Sequence, residues 1–391
     1  MSARAGTSPA KQQQRRRPSG VDWRRRLRHG MATMLVRPSR TLVFTHDDQS
    51  LIGCNFLSRQ TFSCSPDLVA VLNSWTNWQP PRALAALVEG MSDEEAEELS
   101  RQLIDLSALV VEGSDLAARE ASFERDWSWG IPTALMHFCV QNPDYLTAEE
   151  AAQRQMDKAA SSTSPVLWLR NAPDQAIRLP DALEDNELFQ LMARRRTVRK
   201  AGADTITLKQ LSDCLFAGLG ITGNTHGVTG SLPLSMTPSG GARNPYEAYV
   251  FARSVEGLAP GIYHYSALDH DLGRIEAPGL PTLSELTGTQ EWADEMACLI
   301  VLAADLRRTM WKYEDPNAYR VVLIEAGHIG QNIMLAATHH ELTACPTAAL
   351  SHARIAQLLK FDSVAVSPIY ALALARPDRA ELERTCRAAT H

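Results

Sequence analysis

Cysteine is sparse in this chain and shows no pairing pattern. The seven residues, Cys54, Cys64, Cys139, Cys214, Cys298, Cys345 and Cys386, are scattered, odd in number and include no C-x-x-C. That excludes a disulfide framework and a zinc ribbon, and it points to reduced thiols in a cytoplasmic protein. Long apolar runs are missing too: none approaches the roughly 20 residues that span a bilayer. The N-terminus lacks the apolar stretch of a signal peptide. Excess positive charge is absent; the net charge of −6 gives no overall field for nucleic acid. What remains, 391 residues with 45% apolar side chains, suffices for a packed core and for two domains or one domain with an extension.

Three near-motifs fail on inspection. Gly218, Gly220 and Gly223 match G-x-G-x-x-G, but they close a helix rather than open one after a strand, so they read as cap and turn residues. His340-Glu341 falls short of a zinc-protease helix because Ala344 stands where the second histidine belongs. Thr237 replaces the first glycine of a nucleophile elbow ending at Gly241. There is no P-loop, and no metal site is expected.

Composition divides the chain. Residues 1–40 hold two arginine clusters, 15–17 and 24–26, among Gln, Ser and Pro, and read as a basic disordered tail. Residues 41–115 alternate short strands and helices. Ser65 caps a helix with Pro66 at its first position, and Ser92 with Glu95 forms a capping box. The spacing predicts a small winged-helix-like module, suited either to binding a peptide by strand addition or to capping the rest of the chain. Residues 116–186 are a connecting region with the aromatic cluster Trp127-Ser128-Trp129-Gly130, a helical stretch near Phe138, and loops at 161–165 and 171–180. From 187 to 380 the elements lengthen. Helices are expected at 188–196, after a Thr207–Gln210 cap, and at 317–340; strands are expected at 246–251, 261–265, 299–303 and 369–374. Residues 381–391 read as a C-terminal tail.

Three separated pieces carry the chemistry. Arg194 to Arg199 offers forked guanidiniums and the Thr197 hydroxyl at a helix end, the donors a phosphate monoester requires. Taken alone, such runs are solvated surface. Pro238-Ser239-Gly240-Gly241-Ala242-Arg243-Asn244-Pro245 lets backbone approach a planar ring, or is simply a turn leading into the next strand. Lys312-Tyr313 can supply acid–base chemistry where its environment brings a pKa toward neutrality. The helix after it carries Glu325, His328, Gln331 and Asn332.

These pieces resemble one family. The R-R-T-V-R run is similar to the arginine-rich opening of nitroreductases. P-S-G-G-A-R-N-P resembles the signature of SagB/ThcOx-type (McbC-like) dehydrogenases, as does R-x-x-W-K-Y followed by Y-R and G-H-x-x-Q-N. The resemblance extends from about residue 40 to 378. It implies an α+β, nitroreductase-like FMN-binding fold: a central mixed or antiparallel sheet flanked by helices, behind the N-terminal module. It further implies that Arg195, Arg196, Thr197 and Arg199 hold the FMN phosphate and ribityl chain. Pro238, Ser239, Gly240, Gly241, Arg243 and Gln331 would line the cofactor, and Lys312 and Tyr313 would be the catalytic pair. The implied partners are a second copy of the chain, a precursor peptide and a YcaO-type cyclodehydratase, with no nucleic acid and no membrane. The implied reaction is FMN-dependent oxidation of a peptide thiazoline or oxazoline to the azole, with dioxygen as acceptor. Three alternatives stay open: a carrier-bound or small-molecule substrate, an NAD(P)H-dependent nitroreductase, and a non-enzymatic peptide-binding scaffold. Relatives tend to have glycines at 346–350, where this chain reads P-T-A-A-L, and before Arg376, where it has Ala375.

Overall fold

The computed structural model describes residues 34–47, 50–163, 177, 179–180, 186–228 and 230–387. The arginine clusters of the basic tail, and most of the expected loops at 161–165 and 171–180, lie outside these residues. Contacts divide the chain into two units: residues to Asn55 with Gln60–Ala117, and Phe56–Arg59 with 118 onward.

In the first unit, strands Leu42–Asp47, Ser50–Asn55 and Gln60–Cys64 form an antiparallel meander. The helix Pro66–Ser74 begins as expected, with the Ser65 side chain accepting the Leu68 N–H. The helix Asp93–Asp105 carries the full Ser92–Glu95 capping box. Its apolar face buries Ala96 and Leu103 against Val36, Leu72, Trp75, Leu84 and Leu109. The expected tail boundary at residue 40 is corrected here. Val36–Pro38 is a strand paired with Leu109–Val111, and Val36 is fully buried. Three residues are too short to show a periodicity, so no strand signal arises at that point.

The second unit is built on a six-stranded antiparallel sheet. Its strand order is Asp271–Ile275, Gly261–Ser266, Tyr246–Ala252, Cys298–Asp305, Val366–Ala375, Thr343–Thr347. Cys298–Asp305 is buried along nearly its whole length, which explains why it reads as an unbroken apolar run. The core joins Phe251, Leu283, Leu286, Leu299, Val301, Ile355 and Ala373. Pro346 is tolerated because its strand is the sheet edge, where a missing N–H breaks no inner ladder.

The helix Ala318–His339 packs on Leu208–Leu219, and a Cβ on Gly218 would lie 2.8 Å from Ile333 Cγ1, so glycine permits the close approach. By length and composition Ala318–His339 could span a membrane, yet Tyr319, Val322, Ile329, Ile333 and Ala337 are buried within its own unit. Gly220 caps the helix Leu208–Leu219 as expected, and the chain continues into a hairpin, Ile221–Gly227 with Gly230–Ser235, that sequence reading did not find. The segment expected as a tail from 381 is also corrected: Arg379–Arg387 is a helix, with Asp378 accepting the Glu381 N–H.

Candidate active site around Gly241

The site begins where the hairpin ends. The Thr237 hydroxyl donates to the Gly218 carbonyl (2.7 Å) and accepts from the Asn332 amide (3.0 Å), fixing the loop to two helices. Ser239 Oγ accepts the Asn244 N–H (2.8 Å). Its hydroxyl also bonds Glu325, whose carboxylate accepts the Gly240 N–H at 3.3 Å. Ser239 therefore holds the loop in shape through its side chain. Burial pushes the Glu325 carboxyl above the usual range, against the lowering effect of the Ser239 and Gly240 bonds.

Gly240–Ala242 makes a single 3₁₀ turn in which Gly241 takes φ 63°, ψ 25°. A Cβ on Gly241 would lie 2.5 Å from both Lys312 Nζ and Tyr313 Oη; one on Gly240 would lie 2.7 Å from Val321 Cγ1. The space left by the Gly241 side chain is thus where the lysine and tyrosine tips meet. The structure brings these two pieces of the sequence together.

Lys312 and Tyr313 leave the short helix Leu306–Met310, and both of their backbone N–H groups donate to the Thr309 carbonyl (3.1 and 2.9 Å). Lys312 Nζ donates to the Gly241 carbonyl (3.3 Å) and lies 5.4 Å from the Tyr313 ring centroid. Arg243 turns its guanidinium onto the Trp311 ring (4.6 Å) and donates to the Arg308 carbonyl (2.9 Å). Arg308 in turn pairs with Glu247 (2.5 Å), which also contacts His264 (2.9 Å). Burial alone would raise the Glu247 carboxyl; the His264 and Arg308 contacts outweigh it and leave it lowered.

The arginine run lies elsewhere. The helix Glu187–Arg194 ends there, and the following residues show two faces. Arg194, Arg196 and Val198 line a cavity of about 540 Å³ with Thr343, Arg376 and Arg379. Arg195 donates to the Thr197 hydroxyl (3.4 Å), and Arg199 stacks over Trp292 (5.6 Å). Lys312, Tyr313 and residues 238–241 do not line that cavity. A second cavity of about 410 Å³ is lined by Arg243, Asn244, Glu247, His264 and Arg308, again without Lys312. Pro238 is exposed, and so is Gln331, on a helix face shared with Val321, Ile324 and His328. Sequence reading missed Glu325 as the loop's anchor and Arg376 and Arg379 as companions of Arg196. Each sits in an unrelated stretch, and only folding brings it alongside.

Elsewhere in the same unit, the segment 141–145 holds the 346–350 stretch. The Tyr145 hydroxyl accepts the Leu350 N–H (2.9 Å), and Asn142 Oδ1 accepts the Ala353 N–H (3.0 Å). Buried His137 and half-buried His352 flank it. His137 Nε2 accepts from the Gln141 amide (2.9 Å), which leaves the Nδ1 proton for the Tyr319 hydroxyl (3.0 Å). Burial, then the nearby His352, pushes His137 down to about 3; burial pushes His352 down to about 4.

Comparison with known proteins adds the following. Residues 192–375 match the nitroreductase family. A Methanocaldococcus jannaschii protein named as a candidate nitroreductase is 32% identical over 185 residues, covering 47% of this chain and 89% of that protein. The trifolitoxin-processing protein TfxB of Rhizobium leguminosarum bv. trifolii is 29% identical over 339 residues, covering 77% of this chain and 86% of TfxB. A crystal structure from Anabaena variabilis, also named as a candidate nitroreductase, has a TM-score of 0.41 at 27% identity. The match covers 44% of this chain and 36% of that one.

Two outcomes are expected. Gly241→Ala combines left-handed strain with displacement of two side chains and should lower the unfolding free energy by about 1–2 kcal/mol. Gly273→Ala, with its nearest neighbour 4.0 Å away, should stay within about 0.5 kcal/mol; denaturant titration reads both. The unfolded chain protonates its histidines near 6.5, whereas folded His137 and His352 hold off until about 3 and about 4. Their contribution to stability is therefore complete above pH 6.5 and is lost progressively as the pH falls toward 4. Raised Glu325 acts in the opposite sense. Denaturation midpoints should fall across that window, and His352→Gln should flatten the fall.

Proposed function

The chain belongs to the nitroreductase family, and from that footing we propose that it is an FMN-dependent dehydrogenase converting thiazoline or oxazoline rings of a peptide to azoles, with dioxygen as acceptor. The observation that carries this reading is the convergence of Lys312 Nζ and Tyr313 Oη on the side-chain-free face of Gly241. An acid–base pair set against bare backbone suits a reaction in which a proton leaves a ring lying next to a flat cofactor. The match to TfxB, a toxin-processing protein by name, runs well beyond the nitroreductase segment and supports a role in maturing a larger precursor, for which we propose a peptide.

The chemistry of the residues present fits FMN. Gly240 and Gly241 let the loop close onto Val321, Lys312 and Tyr313, which sets the acid–base tips beside the backbone that would face the cofactor. Pro238 and Ser239 shape that surface, while Arg243 and Gln331 border it. Arg196 would offer a phosphate its donors in the cavity it lines with Arg376 and Arg379, while Arg195, Thr197 and Arg199 present theirs outside that cavity. When bound, FMN supplies the two-electron acceptor that aromatisation of the ring demands.

The chain's own part is the proton. The ring Cα–H is acidified by the adjacent C=N bond, and Lys312 Nζ or Tyr313 Oη takes that proton, the other holding it by hydrogen bond. Lys312 Nζ is held for that role by the Gly241 carbonyl and beside the Tyr313 ring.

Among the described residues, neither the 540 Å³ nor the 410 Å³ cavity joins the phosphate donors to the acid–base pair, which favours a site completed by a second copy. The helix Glu187–Arg194 has no buried residue, and Leu188, Phe189 and Met192 are exposed along it. Val321 and Ile324 are exposed near the glycine loop. Such surface is stabilised by a partner at roughly 1.5–3 kcal/mol per large side chain fully covered. A YcaO-type cyclodehydratase acting on the same precursor peptide would supply the azoline.

Titration of apo-protein with FMN should show saturable binding, and Lys312→Ala should keep that binding while azoline turnover drops by about 10²–10⁴-fold. A chain that takes up no FMN contradicts the scheme. Rapid bleaching of bound flavin by NADPH, with no azoline oxidation, would shift it to the nitroreductase reading.

A further inference from the structure

We propose that Trp129 is the positioning residue for the Lys312–Tyr313 pair, its indole N–H fixing the Tyr313 carbonyl so that both side-chain tips stay at Gly241. The inference rests on the reading of that pair as the acid–base machinery. The bond, Trp129 Nε1 to Tyr313 O, is 2.8 Å long and joins residues 184 apart in the chain. Trp129 is 2% exposed. An indole carries one donor and no acceptor, so a buried Trp129 has this bond or none.

The turn that presents the indole is fixed from within. Gly130 takes φ 76°, which lets the chain reverse into the helix Gly130–Cys139. The Thr133 hydroxyl is placed to donate to the Trp129 carbonyl (3.1 Å) and the Gly130 carbonyl (3.3 Å). Trp127 Nε1 also donates to the Gly130 carbonyl (3.1 Å). The ring is held edge-on by Trp127 (6.2 Å, 87°) and by Tyr319 (5.9 Å, 72°). Tyr319 is itself bonded to buried His137. The donor therefore has little freedom of its own.

At the receiving end, Tyr313 is tied on both sides of its Cα: its N–H goes to Thr309 and its carbonyl to Trp129. Lys312, one residue earlier, is exposed and is held, among the described residues, by its N–H to Thr309, its bond to Gly241 and its place over the Tyr313 ring. Releasing the carbonyl lets the turn rotate and carries both tips off Gly241. A shift of about 1 Å at reacting groups can cost on the order of 100-fold in rate.

Trp129→Phe keeps the ring and removes the donor. In apo-protein, labelling of Lys312 by an amine reagent, followed by peptide mass spectrometry, should speed up at least about fivefold, while Lys209 labels at the wild-type rate. In the FMN-loaded protein kcat should fall about 10–100-fold with KM and FMN affinity unchanged. The pH profile of kcat should shift, and Trp129→His, which restores a ring N–H, should recover part of the loss. Unchanged Lys312 labelling together with unchanged kcat overturns the proposal. If labelling responds but neither wild type nor variant oxidises an azoline, Trp129 keeps its role and the substrate assignment fails. Should W129F not fold, the indole N–H of Trp129 in the native protein decides: slow exchange with a resonance that moves in Lys312→Ala supports the bond, and exchange at the rate of a solvent-exposed indole refutes it.

Discussion

Where Gly241 lacks a side chain, an ammonium and a phenol hydroxyl occupy the gap, and the surrounding structure keeps them there. A β-carbon at that position would meet both within 2.5 Å, and the local φ of 63° is itself one that side chains resist. The loop cannot relax toward an ordinary turn because Glu325 holds Gly240 from below and Ser239 clasps Asn244. The helix Ala318–His339 carries Glu325, packs on the helix Leu208–Leu219 and bonds Thr237 through Asn332, so one long element fixes the loop at several points. In the proposed reading, Lys312 and Tyr313 draw their function from that fixed geometry.

The same reasoning explains why so many polar groups near the site face inward. Ser239, Thr237, Asn332, Arg243 and Arg308 each satisfy a neighbour in the protein, which leaves backbone and the Lys312–Tyr313 tips as the open chemical surface. The cavity lined by Arg194 and Arg196 is a different part of the same chain. Under the proposed reading, a second copy would bring such a phosphate site to the Lys312–Tyr313 pair.

Local grammar made much of the fold readable. Ser92 with Glu95 and Thr207 with Gln210 form their capping boxes because those interactions span only three residues. Cys298–Asp305 shows as an apolar run because both its faces are covered, and Gly220 ends a helix as its neighbours indicated. The glycine loop and the lysine–tyrosine pair were visible as motifs, but their meeting was not, since 71 residues separate Gly241 from Lys312. The strand at Val36–Pro38 was too short to register, and the helix Arg379–Arg387 was hidden by its charge. The alternation that divides the arginine run between two faces depends on an extended backbone after Arg194 that the helix-like residues before it did not announce. The Trp129 contact with Tyr313 had no sequence signal at all.

A crystal structure of the protein with FMN bound tests the account most directly. The prediction is an isoalloxazine lying on the backbone of Gly240 and Gly241, with Lys312 and Tyr313 facing one side of the ring and arginines of the 194–199 run on its phosphate. A flavin seated away from Gly241, with that pair remote from the ring, would contradict it.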